Sequence, residues 1–350
     1  MSSYRTVSPM RLHAALVLAI CALCLVFSGS AAHAQAKPKS VDANPVVVDP
    51  EKLFAAIVKV SVQAVPDARS AATLGSEREG SGVVIGERGL ILTIGYLIVE
   101  ADEVSVTDSR GRTHAARVVA YDHVTGLGLV RTIAPIDARP VVFGDSGKLT
   151  NRDRVMIAGA GDDGVSFAYV VSKRAFSGSW EYALDQAIYT SPPTLNWSGA
   201  ALFDKEGRLL GVGSLIVGDA NDDDPRIPGN MFVPIDLLKP ILADLVKVGR
   251  RTGPARPWMG VATGETQGRL VVSRVSPDGP ADMAGLSVGD IILAVGDEGV
   301  RTQADFYRKV WSRGGAGTEI PLKLLQGVDI REVRVKSIDR VDYFRARTTY

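Results

Sequence analysis

Ser198 is the residue of this sequence best placed for covalent chemistry. It stands among small residues in the segment 196–202 (NWSGAAL), and an acidic and glycine turn at 204–207 separates this segment from a second apolar run at 209–213. Acyl transfer by a serine requires a base for the hydroxyl proton, a partner that orients the base, and N–H donors for the oxyanion. The function therefore depends on which of these groups accompany Ser198.

The histidines and lysines of the chain are weak candidates for a base that would activate Ser198. After residue 34 the only histidines are His114 and His123, and a histidine in a loop or strand is more often a surface group. Lys173 and Lys205 could form a serine–lysine dyad, but both are expected as solvated residues in turns or at strand edges. We expect none of these four residues to act as a base for Ser198.

No segment has the pattern of a metal or phosphate site. Residues 219–224 (DANDDD) cluster oxygen ligands that could attract calcium, but their spacing matches no EF-hand, and a solvated loop is favoured. His114 and His123 form no zinc spacing. Gly159 and Gly161 lack the G-x-G-x-x-G pattern of a phosphate loop. We therefore expect neither a metal nor a cofactor.

The first residues have the pattern of an export signal. Arg5 and Arg11 precede an apolar run at 12–27, and residues 32–34 (AHA) have the form of a cleavage site. This run is shorter than the roughly 20 residues that span a bilayer. Cleavage near Ala34 is therefore favoured over a retained anchor, and we expect a periplasmic protein with no stable membrane span.

The composition is that of an ordinary globular protein. Of 350 residues, 46% are hydrophobic and 23% are charged, which is enough to bury sizeable cores in two domains. Cys21 and Cys24, the only cysteines, lie in the apolar run of the expected signal, so the mature chain would have no disulfide. Loss of the signal leaves the chain nearly neutral, which gives no reason to expect nucleic acid as a partner.

The remaining pattern is mostly that of short strands. Between about residues 61 and 215, short apolar runs are divided by glycine and acidic turns, which is typical of a barrel or sandwich. Residues 234–248 predict a helix. The glycine, prolines and arginines of 249–257 predict a linker, and a second unit of strands and short helices follows at 258–338.

The ordered set of motifs resembles the HtrA (Deg) family of exported trypsin-like proteases with a C-terminal PDZ domain. In the first half, the segments that carry the resemblance are 80–85 (GSGVVI), 90–93 (LILT), 122–131 (DHVTGLGLVR), 196–202 and 231–236 (MFVPID). In the second half they are 256–261 (RPWMGV), 275–281 (VSPDGPA) and 284–292 (AGLSVGDII). The resemblance covers about residues 51–338.

The resemblance implies a mainly β fold, with a trypsin-like double β-barrel followed by a PDZ domain, a small α+β barrel. The expected segments are a signal peptide at 1–34, a linker at 35–50, a trypsin-like serine-protease-like domain at 51–248, a linker at 249–257, a PDZ domain at 258–338 and a frayed C-terminal tail at 339–350. The expected peptide-binding residues are Trp258, Met259, Gly260 and Val261, whose backbone N–H groups would hold a peptide carboxylate. The alternative is that Trp258 and Met259 are core residues of an occluded loop.

Aligned with the family's motifs, the catalytic positions depart from a working triad. The histidine position, three residues after Thr93, is Tyr96, and the aspartate position is Gly126. Tyrosine, with an ordinary pKa near ~10, is a poor base at neutral pH. Asn196 also replaces the glycine two residues before Ser198, so we expect a weakened oxyanion turn.

We therefore expect an exported HtrA-like protein with a degenerate triad that binds polypeptides or partner proteins through its PDZ domain, in envelope protein quality control or regulation. The alternative is an active serine endopeptidase that degrades misfolded periplasmic proteins, so enzymatic activity stays open. A homo-oligomer, or a hetero-oligomer with active relatives, is a further expectation. The last residues, 348–350 (TTY), could themselves occupy a PDZ groove.

Overall fold

The computed structural model describes residues 50–161 and 164–345. The expected signal peptide and its cleavage site, the linker before residue 50, and the expected groove-binding residues 348–350 lie outside this part of the chain. Within the described residues, no helix is long and apolar enough to cross a membrane. The same residues contain no cluster of three or more side chains that could hold a metal ion.

The first half of the chain forms a closed antiparallel barrel. Its strands are β1 (Ile57–Ala64), β2 (Glu77–Gly86), β3 (Leu90–Ile94), β4 (Ala101–Thr107), β5 (Thr113–Asp122) and β6 (Leu127–Thr132), in the order β1-β2-β3-β6-β5-β4. The short helices α1 (Pro50–Ala55), α2 (Ala71–Leu74) and α3 (Gly95–Ile98) accompany it. All five residues of β3 are buried, as expected for a strand that lies between the barrel interior and the next barrel.

A second closed antiparallel barrel follows. Its strands are β7 (Arg154–Ala158), β8 (Val165–Gly178), β9 (Tyr182–Ser191), β10 (Ala201–Phe203), β11 (Leu209–Val217) and β12 (Gly229–Pro234), in the order β10-β11-β12-β9-β8-β7. One continuous core cluster contains buried residues of both barrels, including Ile91 and Phe203. The two barrels therefore fold around a shared interface, and the predicted mainly β class is confirmed.

The predicted continuous helix at 234–248 is wrong in its first half. A 3₁₀ turn at Ile235–Leu237 comes first, and the helix α4 begins only at Leu242 and ends at Val248. Pro240 separates them, because proline lacks the N–H group that a helix interior requires. Gly249 closes α4 with a φ of +78°, a conformation that glycine adopts without strain.

The third unit is a sheet with short helices. It contains β13 (Val261–Thr266), β14 (Arg269–Val275), β15 (Ile291–Val295), β16 (Glu298–Gly299), β17 (Glu319–Gln326) and β18 (Asp329–Lys336), with the helices α5 (Pro280–Met283), α6 (Gln303–Trp311) and α7 (Arg340–Tyr343). The order β13-β14-β15-β17-β18 leaves β13 at an edge. The expected frayed tail is wrong for its first part, because Tyr343 is buried and its ring lies 4.7 Å from that of Trp258.

Candidate functional site

Ser198 lies in a turn that both barrels hold in place. Its carbonyl oxygen accepts a hydrogen bond from the N–H of Ser81 on β2 at 2.7 Å, and the N–H of Gly199 donates to the carbonyl of Gly213 on β11 at 2.9 Å. Gly80 approaches so closely that a Cβ there would stand 2.9 Å from Ser198 Oγ. A cavity of about 470 Å³ opens beside the serine, so a small group can reach it.

Tyr96 contacts the Ser198 hydroxyl directly. It lies on α3, immediately after the buried strand β3, and its hydroxyl is 2.9 Å from Ser198 Oγ and 3.0 Å from the carbonyl oxygen of Ser214. Burial raises the pKa of Tyr96 to about 12, against the opposing effect of the hydrogen bond to Ser198. A phenol has one proton and a carbonyl only accepts, so when Tyr96 donates to Ser214 the serine hydroxyl donates to the phenol oxygen.

Gly126 lies in a tight turn between β5 and β6, with a φ of +78°. The Asp122 carboxylate caps this turn by accepting from the N–H and hydroxyl of Thr125 at 3.0 and 2.6 Å. Arg251 donates to both oxygens of the same carboxylate at 2.9 and 2.8 Å. The hydroxyl of Tyr182 donates to the Thr125 carbonyl at 2.7 Å and fills the space beside Gly126.

The segment before Ser198 is anchored by a buried asparagine that sequence reasoning missed. Asn230 on β12 accepts from the N–H of Thr194 at 2.8 Å and donates to its carbonyl at 3.0 Å. The N–H of Asn196 in turn lies 3.4 Å from Thr194 Oγ1. The backbone N–H of Asn196, at the expected oxyanion turn, therefore points toward the Thr194 hydroxyl in a long hydrogen bond.

The alternative bases have other partners. The ring of His123 lies between Tyr121 and Phe344, with centroid distances of 4.0 and 5.8 Å. The ring is half-buried and its Nδ1 atom is enclosed, so the expectation of a surface histidine is only partly met, and burial lowers its pKa well below 6.5. In the described part of the chain, no hydrogen bond joins His123 to Ser198.

The other three candidates also bond elsewhere. His114 lies 3.1 Å from the carboxylate of Asp108, and Lys205 pairs with Glu206 at 3.6 Å. The ammonium of Lys173 is not solvated as expected, because it donates to the carbonyls of Ser146, Gly147 and Leu149 at 3.2, 3.0 and 2.9 Å.

The four expected peptide-binding residues lie together at the start of β13. Trp258, Met259 and Val261 are buried, and Gly260 has a φ of +78°. The backbone N–H groups of residues 259–261 all point at one carboxylate, that of Glu181, which sequence reasoning missed. Glu181 belongs to the second barrel and its partners to the third unit. Its only local signal is a glutamate at the tip of a short hairpin, so no sequence pattern predicted it.

Comparisons with known proteins agree with this architecture. Residues 80–212 match the trypsin-like peptidase domain family, and residues 257–337 match the PDZ domain family. The chain is 27% identical over 280 residues to a "Probable periplasmic serine protease do/HhoA-like" of Haemophilus influenzae, covering 73% of this chain and 57% of the relative. It is 28% identical over 242 residues to "Serine endoprotease DegS" of Escherichia coli K12, covering 62% and 64%.

The chain thus spans 57% to 64% of the length of these two relatives. Among solved structures, "HtrA-type protease AlgW with tripeptide" matches with a TM-score of 0.50 and 19% identity, covering 85% of this chain and 96% of the other. At that identity the likeness speaks for the fold alone. The predicted trypsin-like domain followed by a PDZ domain is confirmed.

Proposed function

We propose that this chain, an HtrA-type protein with a trypsin-like domain followed by a PDZ domain, binds polypeptide C-termini or partner proteins in the bacterial envelope and does not hydrolyse peptides through a serine triad. The observation that carries the proposal is the 2.9 Å contact between Tyr96 and Ser198. A relative named as a probable periplasmic serine protease supports the location, and a role in envelope protein quality control or regulation is part of the proposal. Homo-oligomers, or hetero-oligomers with active relatives, are part of the same proposal.

The chemistry at Ser198 argues against acyl transfer. With its pKa raised to about 12, Tyr96 stays protonated at neutral pH and has no lone pair basic enough to take the serine proton. Gly126 supplies no carboxylate to orient a base. In subtilisin, removing the catalytic histidine alone lowers kcat on the order of 10⁶-fold, about as much as removing the whole triad. The retained serine turn then serves as a structural part of the barrel interface.

The alternative, an active serine endopeptidase, draws support from the names of the relatives and from the cavity of about 470 Å³ beside Ser198. One experiment distinguishes the two proposals. Purified protein is incubated with a fluorophosphonate probe and with unfolded casein, next to a Ser198→Ala variant. We expect no labelling and no cleavage by either protein. Labelling and cleavage that both disappear in Ser198→Ala would establish the endopeptidase instead.

A further inference from the structure

The hairpin between β8 and β9 reaches from the second barrel into the third unit. Its tip is formed by residues 179–181, between Gly178 at the end of β8 and Tyr182 at the start of β9. The tip lies against β13, which begins at the expected peptide-binding residues, and against α6, which contacts β13. The space between these two elements is called the groove below. The tip makes three kinds of contact there, each of them polar.

The first contact joins the Glu181 side chain to the expected carboxylate loop. Its Oε1 atom accepts from the N–H groups of Gly260, Val261 and Met259 at 2.7, 2.9 and 3.2 Å, and its Oε2 atom accepts from Met259 at 3.0 Å. Glu181 is itself 6% exposed. Three consecutive backbone donors converging on one buried carboxylate form a site for an anion.

The second contact adds the hairpin backbone to the free edge of the sheet. The N–H of Thr263 on β13 donates to the carbonyl of Ser179 at 3.1 Å. Because β13 has a strand neighbour on one side only, this bond uses the edge at which an added peptide strand would pair. The tip therefore combines a carboxylate with a backbone carbonyl, as the end of a bound polypeptide does.

The third contact comes from the helix across the groove. The hydroxyl of Tyr307 on α6 donates to the carbonyl of Gly178 at 2.8 Å and accepts from the N–H of Glu181 at 3.1 Å. Thr302 caps α6, since its hydroxyl accepts from the N–H of Asp305 at 3.2 Å, and the buried face of the helix fixes Tyr307. Both walls of the groove thus hold the same three-residue tip.

The tip has a backbone that its sequence does not favour. Glu181 has a φ of +55°, at the last position of a three-residue hairpin loop, where glycine is usual because it adopts positive φ without strain. A glutamate at this position costs stability in the isolated hairpin. Its carboxylate contacts with the loop at 259–261 offset that cost.

We propose that the β8–β9 hairpin is an internal ligand of the PDZ groove, in which the Glu181 carboxylate takes the place of the terminal carboxylate of an outside polypeptide. Each backbone N–H has one proton to donate, so the loop at 259–261 cannot hold both carboxylates at once. An outside C-terminus binds only after the hairpin has left. The class of the outside ligand rests on the proposed function. The closed state, in which the hairpin occupies the groove, rests on the contacts of Glu181.

Hydrogen exchange tests the closed state without any ligand. Exchange at residues 259–261 is measured in purified wild-type protein and in the variants Glu181→Gly and Asp185→Ala. Glu181→Gly suits the positive φ and removes the side chain together with its carboxylate, while Asp185→Ala removes an exposed carboxylate of the same hairpin. We expect exchange at least about tenfold faster in Glu181→Gly and unchanged in Asp185→Ala. Equal protection in all three proteins would overturn the proposal.

A second measurement separates the internal ligand from the proposed function. The probe is a pool of fluorescent decapeptides with random last four residues and a free carboxylate, compared with the same pool as C-terminal amides. We expect the free-acid pool to bind Glu181→Gly about tenfold more tightly than the wild type. In the wild type, the hairpin closes the groove and lowers the fraction of protein molecules that can bind a peptide. Equal affinity of the two proteins would overturn the internal ligand. Faster exchange without binding of either pool would support the internal ligand and reject the ligand class of the proposed function.

Discussion

The hydroxyl oxygen of Tyr182 lies 3.0 Å from the point that a Cβ on Gly126 would occupy. That distance is too short for a relaxed contact, and Tyr182 is held there by its bond to the Thr125 carbonyl. A carboxylate at position 126 therefore cannot be introduced without moving a buried tyrosine. The space beside Gly126 is already filled by the Tyr182 hydroxyl.

This relationship predicts a large loss of stability in Gly126→Asp. We expect its free energy of unfolding to fall by at least about 2 kcal/mol, because strain at positive φ adds to the clash with Tyr182. Gly111→Asp is the matched control, since Gly111 has a similar φ of +76° with nothing within 4 Å, and we expect about 1 kcal/mol or less there. Urea denaturation measures both. Equal losses would show that Tyr182 moves aside freely.

Gly80→Ala tests how tightly the serine turn is held. The new methyl group would stand 2.6 Å from the side chain of Leu97 and 2.8 Å from the carbonyl oxygen of Ser198. We expect a loss of about 1 to 3 kcal/mol from overpacking. Gly264→Ala, at a position with nothing within 4 Å, should change stability by less than about 1 kcal/mol. A comparable melting temperature for the two variants would contradict the prediction.

The pair of Arg251 and Asp122 should contribute more to stability than an exposed pair. The Asp122 side chain is 3% exposed and receives both N–H groups of Arg251, so Arg251→Ala leaves a buried carboxylate short of donors. We expect a loss of about 1 to 3 kcal/mol. The control is Arg334→Ala, because Arg334 and Glu319 are 77% and 54% exposed and such pairs contribute at most about 1 kcal/mol. Urea denaturation compares the variants, and equal losses would contradict this ranking.

The hairpin contact should weaken as the pH rises. Burial raises the pKa of Glu181 to about 7 from an ordinary 4.5, against the opposing effect of the N–H donors and Arg340. The closed state therefore binds a proton more strongly than the open state, and closure is strongest below pH 4.5 and weakens up to about pH 7. Other titratable or charged groups at the contact or lining the cavity beside it are Tyr307, Tyr121, Asp122, His123, Arg250, Arg251, Arg256, Asp339 and Arg340.

Hydrogen exchange at the Gly260 amide measures how hairpin opening depends on pH. The rates are corrected for the intrinsic effect of pH on amide exchange. We expect opening to increase in the wild type between about pH 5 and pH 7. Glu181→Gln is the control, because its amide does not titrate, and its opening should stay constant. The same increase in Glu181→Gln would assign the pH dependence to another group at the contact.

The sequence predicted elements better than it predicted contacts between them. Short apolar runs divided by glycine and acidic turns predicted a barrel or sandwich, and the family resemblance predicted the two barrels that the structure has. The neighbourhood of Ser198 and Tyr96, 102 residues apart, followed only from the family resemblance. The Glu181 contact joins residues that lie 78 to 80 positions apart in the chain, so no local periodicity could indicate it. Pro240 was visible in the sequence, and its helix-breaking effect should have divided the predicted helix.

The hairpin tip is covalently joined to the groove that it fills. A tethered partner acts at an effective concentration in the millimolar range when its linker is short and flexible, and here the tether is a folded domain. An outside ligand occupies the groove only when its concentration and affinity together outweigh the effective concentration and affinity of the hairpin tip. The Glu181 contact therefore sets a threshold: scarce or weak C-termini leave the protein unchanged, and abundant or tight ones switch it.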